Sequence, residues 1–183
     1  MKKTMSDSNW RHIRSILILP FTVTILVPML ILAPTRSFAF GWALPMPWRL
    51  APISAGFLIL GAGLWLLIQT IHLFAVRGHG TLAPWDPPTH LVVRGVYRHV
   101  RNPMISGVIG ILLGESILFG SRPLAFWWAL FTSVNLLVIP LIEEPQLEAR
   151  FGAEYEEYKQ HVPRWIPRAR PWHGSWEHNE ELL

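Results

Sequence analysis

Two groups of side chains in this sequence are of types that do chemistry at a membrane surface. The stretch GVYRHVRNPM, residues 95–104, sets Tyr97, Arg98, His99, Arg101 and Asn102 just ahead of an apolar run from Met104 to Phe119. The pair Glu143-Glu144 closes another apolar run, Leu124–Leu141. Guanidinium groups grip carboxylates through paired hydrogen bonds, and carboxylates suit cationic ligands. Opposed acids and bases at one membrane depth make either an ion-pair lock or a polar ligand pocket. The residue types leave both open, and the positive charge ahead of Met104 also suits a simple membrane anchor. His99 and Glu143 are the convenient candidates for a general base, with a solvated loop position as the plainer reading of His99. Glu115 lies inside the third apolar run, where an acid is costly and its default reading is functional. The plainer alternative is a protonated side chain hydrogen-bonded to Asn135 or Trp128. Gln69 and His72 are placed to reach the same polar pocket.

The elements that must position these residues are apolar helices. Hydrophobic residues make up 51% of the 183-residue chain and charged ones 15%, with ten tryptophans. A soluble domain of this size cannot cover so much apolar surface with so few charges, so the membrane is its natural solvent. Four segments are long and apolar enough to cross a bilayer core of about 30 Å: Ile13–Ala33, Pro52–Val76, the short Met104–Phe119 and Leu124–Leu141. Pro20 and Pro28 should kink the first. It is too long for a signal-peptide core and lacks a small-x-small cleavage site, so it reads as a retained span. Gly56, Gly61 and Gly63 offer a small-residue face on the second. The "GSRP" turn at 120–123 joins the last two as a hairpin.

Charge sets the orientation. Thirteen of the sixteen Lys and Arg fall in the N-terminal segment, the 77–103 loop and the C-terminal tail, against three (Arg36, Arg49, Arg122) in the two other loops. The positive-inside rule then places both termini in the cytoplasm. With no cysteine there is no disulfide, thiolate metal site or cysteine nucleophile, and no metal site is expected. Beyond Leu141, Leu147, Phe151, Tyr155, Tyr158 and Val162 recur at helical spacing, predicting an amphipathic helix that starts near Pro145. Glu143 and Glu144 would sit at the positive end of its dipole. Glu154, Glu156 and Glu157 read as its solvated face.

The stretches APWDPPTHLVVRGVYRHVRNPM, the following "GE", and EEPQLEARFGAEYEEYKQHVPRWIP together resemble the isoprenylcysteine carboxyl methyltransferase family. That family sits in a wider group of integral-membrane methyltransferases that includes the phospholipid N-methyltransferases. The resemblance covers roughly residues 78–168. It implies S-adenosylmethionine held at the cytoplasmic ends of the last spans, beneath the C-terminal helix. Tyr97, Arg101, Asn102, Pro103, Met104 and Glu143 or Glu144 would contact it, with His90, Leu91 and Val92 lining the adenosine. Arg101, Asn102 and Glu143 would carry the catalytic roles. No G-x-G-x-x-G follows a strand, so a Rossmann site is not expected. Asn102 and Ile105 stand where many family members carry His and Tyr. Leu137-Val138-Ile139-Pro140 is wholly apolar where eukaryotic members place a substrate-related Arg. These departures bear on the acceptor more than on the cofactor.

The expectation is one all-α integral-membrane domain over 1–183. About four transmembrane helices are followed by a C-terminal amphipathic cytoplasmic helix. Residues 1–76 would form two N-terminal spans, and 77–170 the cofactor-binding loop, hairpin and final helix. Its activity would be methyl transfer from S-adenosylmethionine to a lipophilic small molecule or lipidated substrate, in a bacterial inner membrane and without nucleic acid. Phospholipid N-methylation, a sterol-reductase-like NADPH enzyme and a non-catalytic scaffold are the alternatives.

Overall fold

The computed structural model of the chain describes residues 18–35, 39–77, 91 and 93–174. Regular structure among these residues is entirely helical. The chain is helical from residue 18 and passes through a π turn, Thr22–Leu26, into α1, Val27–Thr35. That wide turn falls between Pro20 and Pro28, whose missing N–H groups interrupt the ordinary ladder. Thr24 Oγ1 donates back to the Pro20 carbonyl at 2.7 Å. Helix α2 runs Leu50–Arg77, two residues earlier than the expected start, and α3 is Pro103–Phe119. Helix α4, Arg122–Val138, leads through a second π turn, Ile139–Glu143, into α5, Glu144–Phe151. Helix α6 is Ala153–His161.

Among the described residues, three stretches built on helices are long and apolar enough to cross a membrane: Ile18–Ala43, Leu50–Leu73 and Arg122–Phe151. The protein is an integral membrane protein. At 17 residues α3 is shorter than these, and it is also the most enclosed helix, with Val108, Ile111, Leu112 and Leu118 buried.

Among the described residues, helices α2 and α3 make the most extensive packing. Glycine permits it. A Cβ on Gly63 would lie 2.6 Å from the Gly107 carbonyl, and one on Gly114 would lie 2.7 Å from the Leu60 amide. Gly56 and Gly63 thus serve the contact the sequence suggested, but Gly61 meets nothing within 4 Å and faces outward. Gly120 ends α3 in the left-handed conformation (φ 56°), and Ser121 Oγ accepts from the Leu124 amide to open α4. The loop after α1 closes this end. The Ala39 amide donates to the Phe119 carbonyl at 2.7 Å, and Trp42 Nε1 to that of Ile117 at 2.8 Å. Both carbonyls are among those a helix end leaves unpaired.

Two sequence expectations change at the other end of the hairpin. Helix α5 starts at Glu144 with Pro145 in its first turn, but it runs on from α4 without a break through the π turn, where the Glu144 amide donates to the Ile139 carbonyl. Glu143 and Glu144 therefore sit within a continuous helical stretch and not at an N-terminal dipole end. Pro140 and Pro145 bracket the change; neither has an N–H to give, and the widened turn keeps the helix going. The expected single amphipathic helix is instead broken at Gly152 (φ 55°), separating α5 from α6.

Candidate functional site

Residues 93–106 lie where α3 begins. Pro103 takes the first helical position, where its missing N–H costs nothing. Asn102 stands at the N-cap but makes no side-chain cap; its Nδ2 donates across to the Arg164 carbonyl at 3.4 Å. The Arg101 amide donates to the Pro163 carbonyl at 2.9 Å and Ser106 Oγ to that of Trp165 at 3.0 Å. Arg168 donates its amide to the His99 carbonyl at 2.9 Å, and Trp172 to that of Arg98 at 3.0 Å. The chain beyond α6 is thus laced along residues 98–106.

Glu144 is the centre of the charged group and is only 4% exposed. Arg164 donates to it through Nε at 2.6 Å and Nη2 at 2.7 Å, one bond to each oxygen. Arg101 Nη1 lies 3.0 Å from the same carboxylate, and its side chain is 8% exposed. Two cations share one anion, so the cluster carries an excess positive charge. Arg101 Nε and Nη1 are buried without a well-aligned hydrogen bond among the described residues. Of the two expected arrangements, the ion-pair lock forms at Glu144. Glu143 is exposed, as helical geometry requires, since consecutive residues point about 100° apart.

An aromatic cap covers the site. Tyr155, Tyr158, Val162 and Trp172 cluster with Val93, and Leu91, Leu147 and Phe151 pack against them. The Tyr158 hydroxyl donates to the Tyr97 carbonyl at 2.7 Å, which ties α6 to the 93–102 stretch. Burial pushes the Tyr155 hydroxyl up to about 12; the nearby Glu144 charge adds to this and Arg101 opposes it. Burial also raises Tyr97 and Tyr158. Glu154 and Glu156 are exposed as expected, while Glu148 pairs with Lys159.

Among the expected site residues, the structure gathers Tyr97, Arg101, Asn102, Pro103 and Glu144 at one end of the bundle. Leu91 packs against the aromatic cap, whereas Met104 packs against the Leu67, Val108, Ile111 and Leu112 cluster inside it. His90 and Val92 lie outside the described residues. His99 is not a solvated loop residue: it is half-buried, with Nδ1 2.7 Å from the Arg168 carbonyl. A carbonyl only accepts, so Nδ1 carries the proton in that contact. Gln69 and His72 are exposed. Glu115 lacks the partners expected for it. Its Oε2 and Trp128 Nε1 are both buried without hydrogen bonds among the described residues, and Asn135 Nδ2 donates to the Phe131 carbonyl in its own helix at 2.8 Å.

Arg164 and Ser106 were not singled out by the sequence. Arg164 counted there only as one of the cytoplasmic charges. Its signal was its setting, P-R-W-I-P-R, where the prolines forbid a helix and leave an extended strap of carbonyl acceptors.

Residues 52–154 match the phospholipid methyltransferase family, and that is more than half of the chain. The chain belongs to the phospholipid methyltransferase family. No curated protein matches it. The family region runs from α2 into the first turn of α6 and so contains Arg101, Asn102, Glu143 and Glu144. The Arg164 strap lies beyond it. Membership makes the protein a membrane methyltransferase, related to the isoprenylcysteine group its motifs resemble.

Proposed function

We propose that the protein transfers a methyl group from S-adenosylmethionine to a lipophilic acceptor at the end of the bundle where Arg101 and Glu144 meet. The observation that carries this reading is the Arg101 guanidinium, buried with Nη1 paired to Glu144 and with Nε lacking an acceptor among the described residues. Leaving a buried Nε–H unsatisfied is costly, and a ligand carboxylate can accept from it together with Nη2, the donor on the same edge of the guanidinium. The cofactor has that carboxylate, and when bound it supplies an electrophilic methyl on a sulfonium.

Arg101 and Asn102 grip the carboxylate end. Exposed Glu143 meets the cationic portion or takes a proton from an amine acceptor. Glu144, already held by Arg164, is assigned to contact the cofactor's surroundings chiefly by fixing Arg101. Leu91 lines the adenosine with Tyr97, while Pro103 forms the floor. The aromatic cap excludes water from the transfer.

The whole chain acts as one domain. In this reading α3 crosses the membrane as a fourth, protein-enclosed span. Helices α5 and α6 lie as an amphipathic cytoplasmic cover, and both termini face the cytoplasm of a bacterial inner membrane. The apolar Leu137-Val138-Ile139-Pro140 stretch supports a neutral or amine-bearing lipid acceptor over a free prenylcysteine carboxylate. Incubating purified protein with labelled methyl donor and host lipid extract tests this. Label is expected in a lipid, at rates above those with a farnesylcysteine analogue. Label confined to that analogue would reverse the acceptor assignment, and no transfer to any acceptor would refute the activity.

A further inference from the structure

Glu115 plays no part in the methyl-transfer reading, yet it borders a cleft of about 520 Å³ inside the membrane region. Phe21 and Ile25 of the first span form one wall, and Leu60, Leu64 and Ile71 of α2 form the other. Apart from Glu115, the lining is apolar except for Thr24, whose hydroxyl is already given to the Pro20 carbonyl. Among the described residues Glu115 Oε2 is buried and unpartnered, and no Lys or Arg lines the cleft. The close approach of Gly114 to Leu60 fixes Glu115 at the Leu60 end. From there to Ile71 the groove follows α2 for about 16 Å, at 1.5 Å per residue.

We propose that this cleft binds a single-chain lipophilic amine, with its ammonium on Glu115 and its alkyl chain lying toward Ile71. An acid among these apolar walls has no counter-charge among the described residues, and an ammonium supplies both that charge and N–H donors. In low dielectric this pairing is far stronger than the one hydrogen bond a neutral alcohol would offer. The walls then bury the chain. Glu115 stands about 18 Å along α3 from Pro103, so the site is independent of the methyl-transfer reading and is tested without it.

The test uses the full chain in nanodiscs with a photoreactive diazirine derivative of dodecylamine, and the matching dodecanol derivative as comparator. The amine probe is expected to label peptides containing residues 18–25 and 60–71. Glu115→Gln should lower that labelling at least about fivefold, the loss of a charge-assisted contact. Ile25→Trp, at a 40% exposed position on the wall, should block it while leaving the acid intact. Equal labelling of wild type and Glu115→Gln would overturn the proposal, as would label lying outside the cleft. Should Glu115→Gln fold poorly, the wild-type comparison decides alone: an alcohol probe labelling as strongly as the amine would overturn it.

Discussion

Arg164 holds both oxygens of Glu144, at 2.6 and 2.7 Å, from twenty residues further along the chain. This fork pins the strap beyond α6 to the helix that carries the acidic pair, and Arg101 completes the group from the start of α3. The three side chains come from three separate elements, so the cluster forms only when the fold is complete.

Glu144→Gln should therefore destabilise the protein strongly, by about 3 kcal/mol or more, because two arginines lose their shared anion. Arg164→Ala should cost less, about 1–2 kcal/mol, since Arg164 is a third exposed and Arg101 still faces the carboxylate. Thermal unfolding in detergent checks the order. Equal losses would show that Arg101 contributes nothing.

The α2–α3 contact predicts a sharp contrast between two glycines. Gly114→Leu drives a side chain against the Leu60 backbone and should cost about 2 kcal/mol or more. Gly61→Leu enters open space and should leave the melting temperature nearly unchanged. The same detergent melts distinguish them.

How far the sequence could be read follows from which contacts are local. The helices over 52–76 and 104–119 were legible because apolar runs and the Asn102-Pro103 start are properties of neighbouring residues. The face made by Leu147, Phe151, Tyr155, Tyr158 and Val162 was legible too, and these residues share one cluster although Gly152 breaks the helix between them. The choice between Glu143 and Glu144 was not legible, because it depends on helical phase and the Ile139–Glu143 π turn shifts that phase. Arg164 was hidden for another reason. Its partners are set by the chain folding back along residues 98–106, and no periodic pattern announces a proline-rich strap.

All three tyrosines in the chain are raised, chiefly by burial. A raised pKa favours the neutral phenol in the folded state. That stabilisation is fully present below the unfolded value of 10.0 and is lost as pH rises toward about 12, the folded value of Tyr155. Tyrosinate absorbance should therefore stay low above pH 10 while stability falls, and then appear together with unfolding. Smooth titration near pH 10 in folded protein would contradict the buried cap.

Orientation is testable because the chain has no cysteine. Cysteines placed at Met46, 67% exposed in the loop after α1, and at exposed Glu154 in α6 should report opposite sides. Impermeant reagent added to intact cells should label the first only. Labelling at position 154 would reverse the proposed topology.

The central claim is that Arg101 grips a ligand carboxylate through its planar fork. Lys at this position still satisfies the positive-inside rule and can still face Glu144, but a point charge cannot make two parallel hydrogen bonds. Isothermal titration of S-adenosylmethionine into purified wild type and Arg101→Lys tests this most directly, with Arg94→Lys, at an exposed position in the same loop, as control. The account predicts binding by Arg101→Lys weakened at least about tenfold, roughly 1.4 kcal/mol, with Arg94→Lys unchanged. Equal affinities for wild type and Arg101→Lys would contradict it, and would leave the arginine as no more than an anchor for the start of α3.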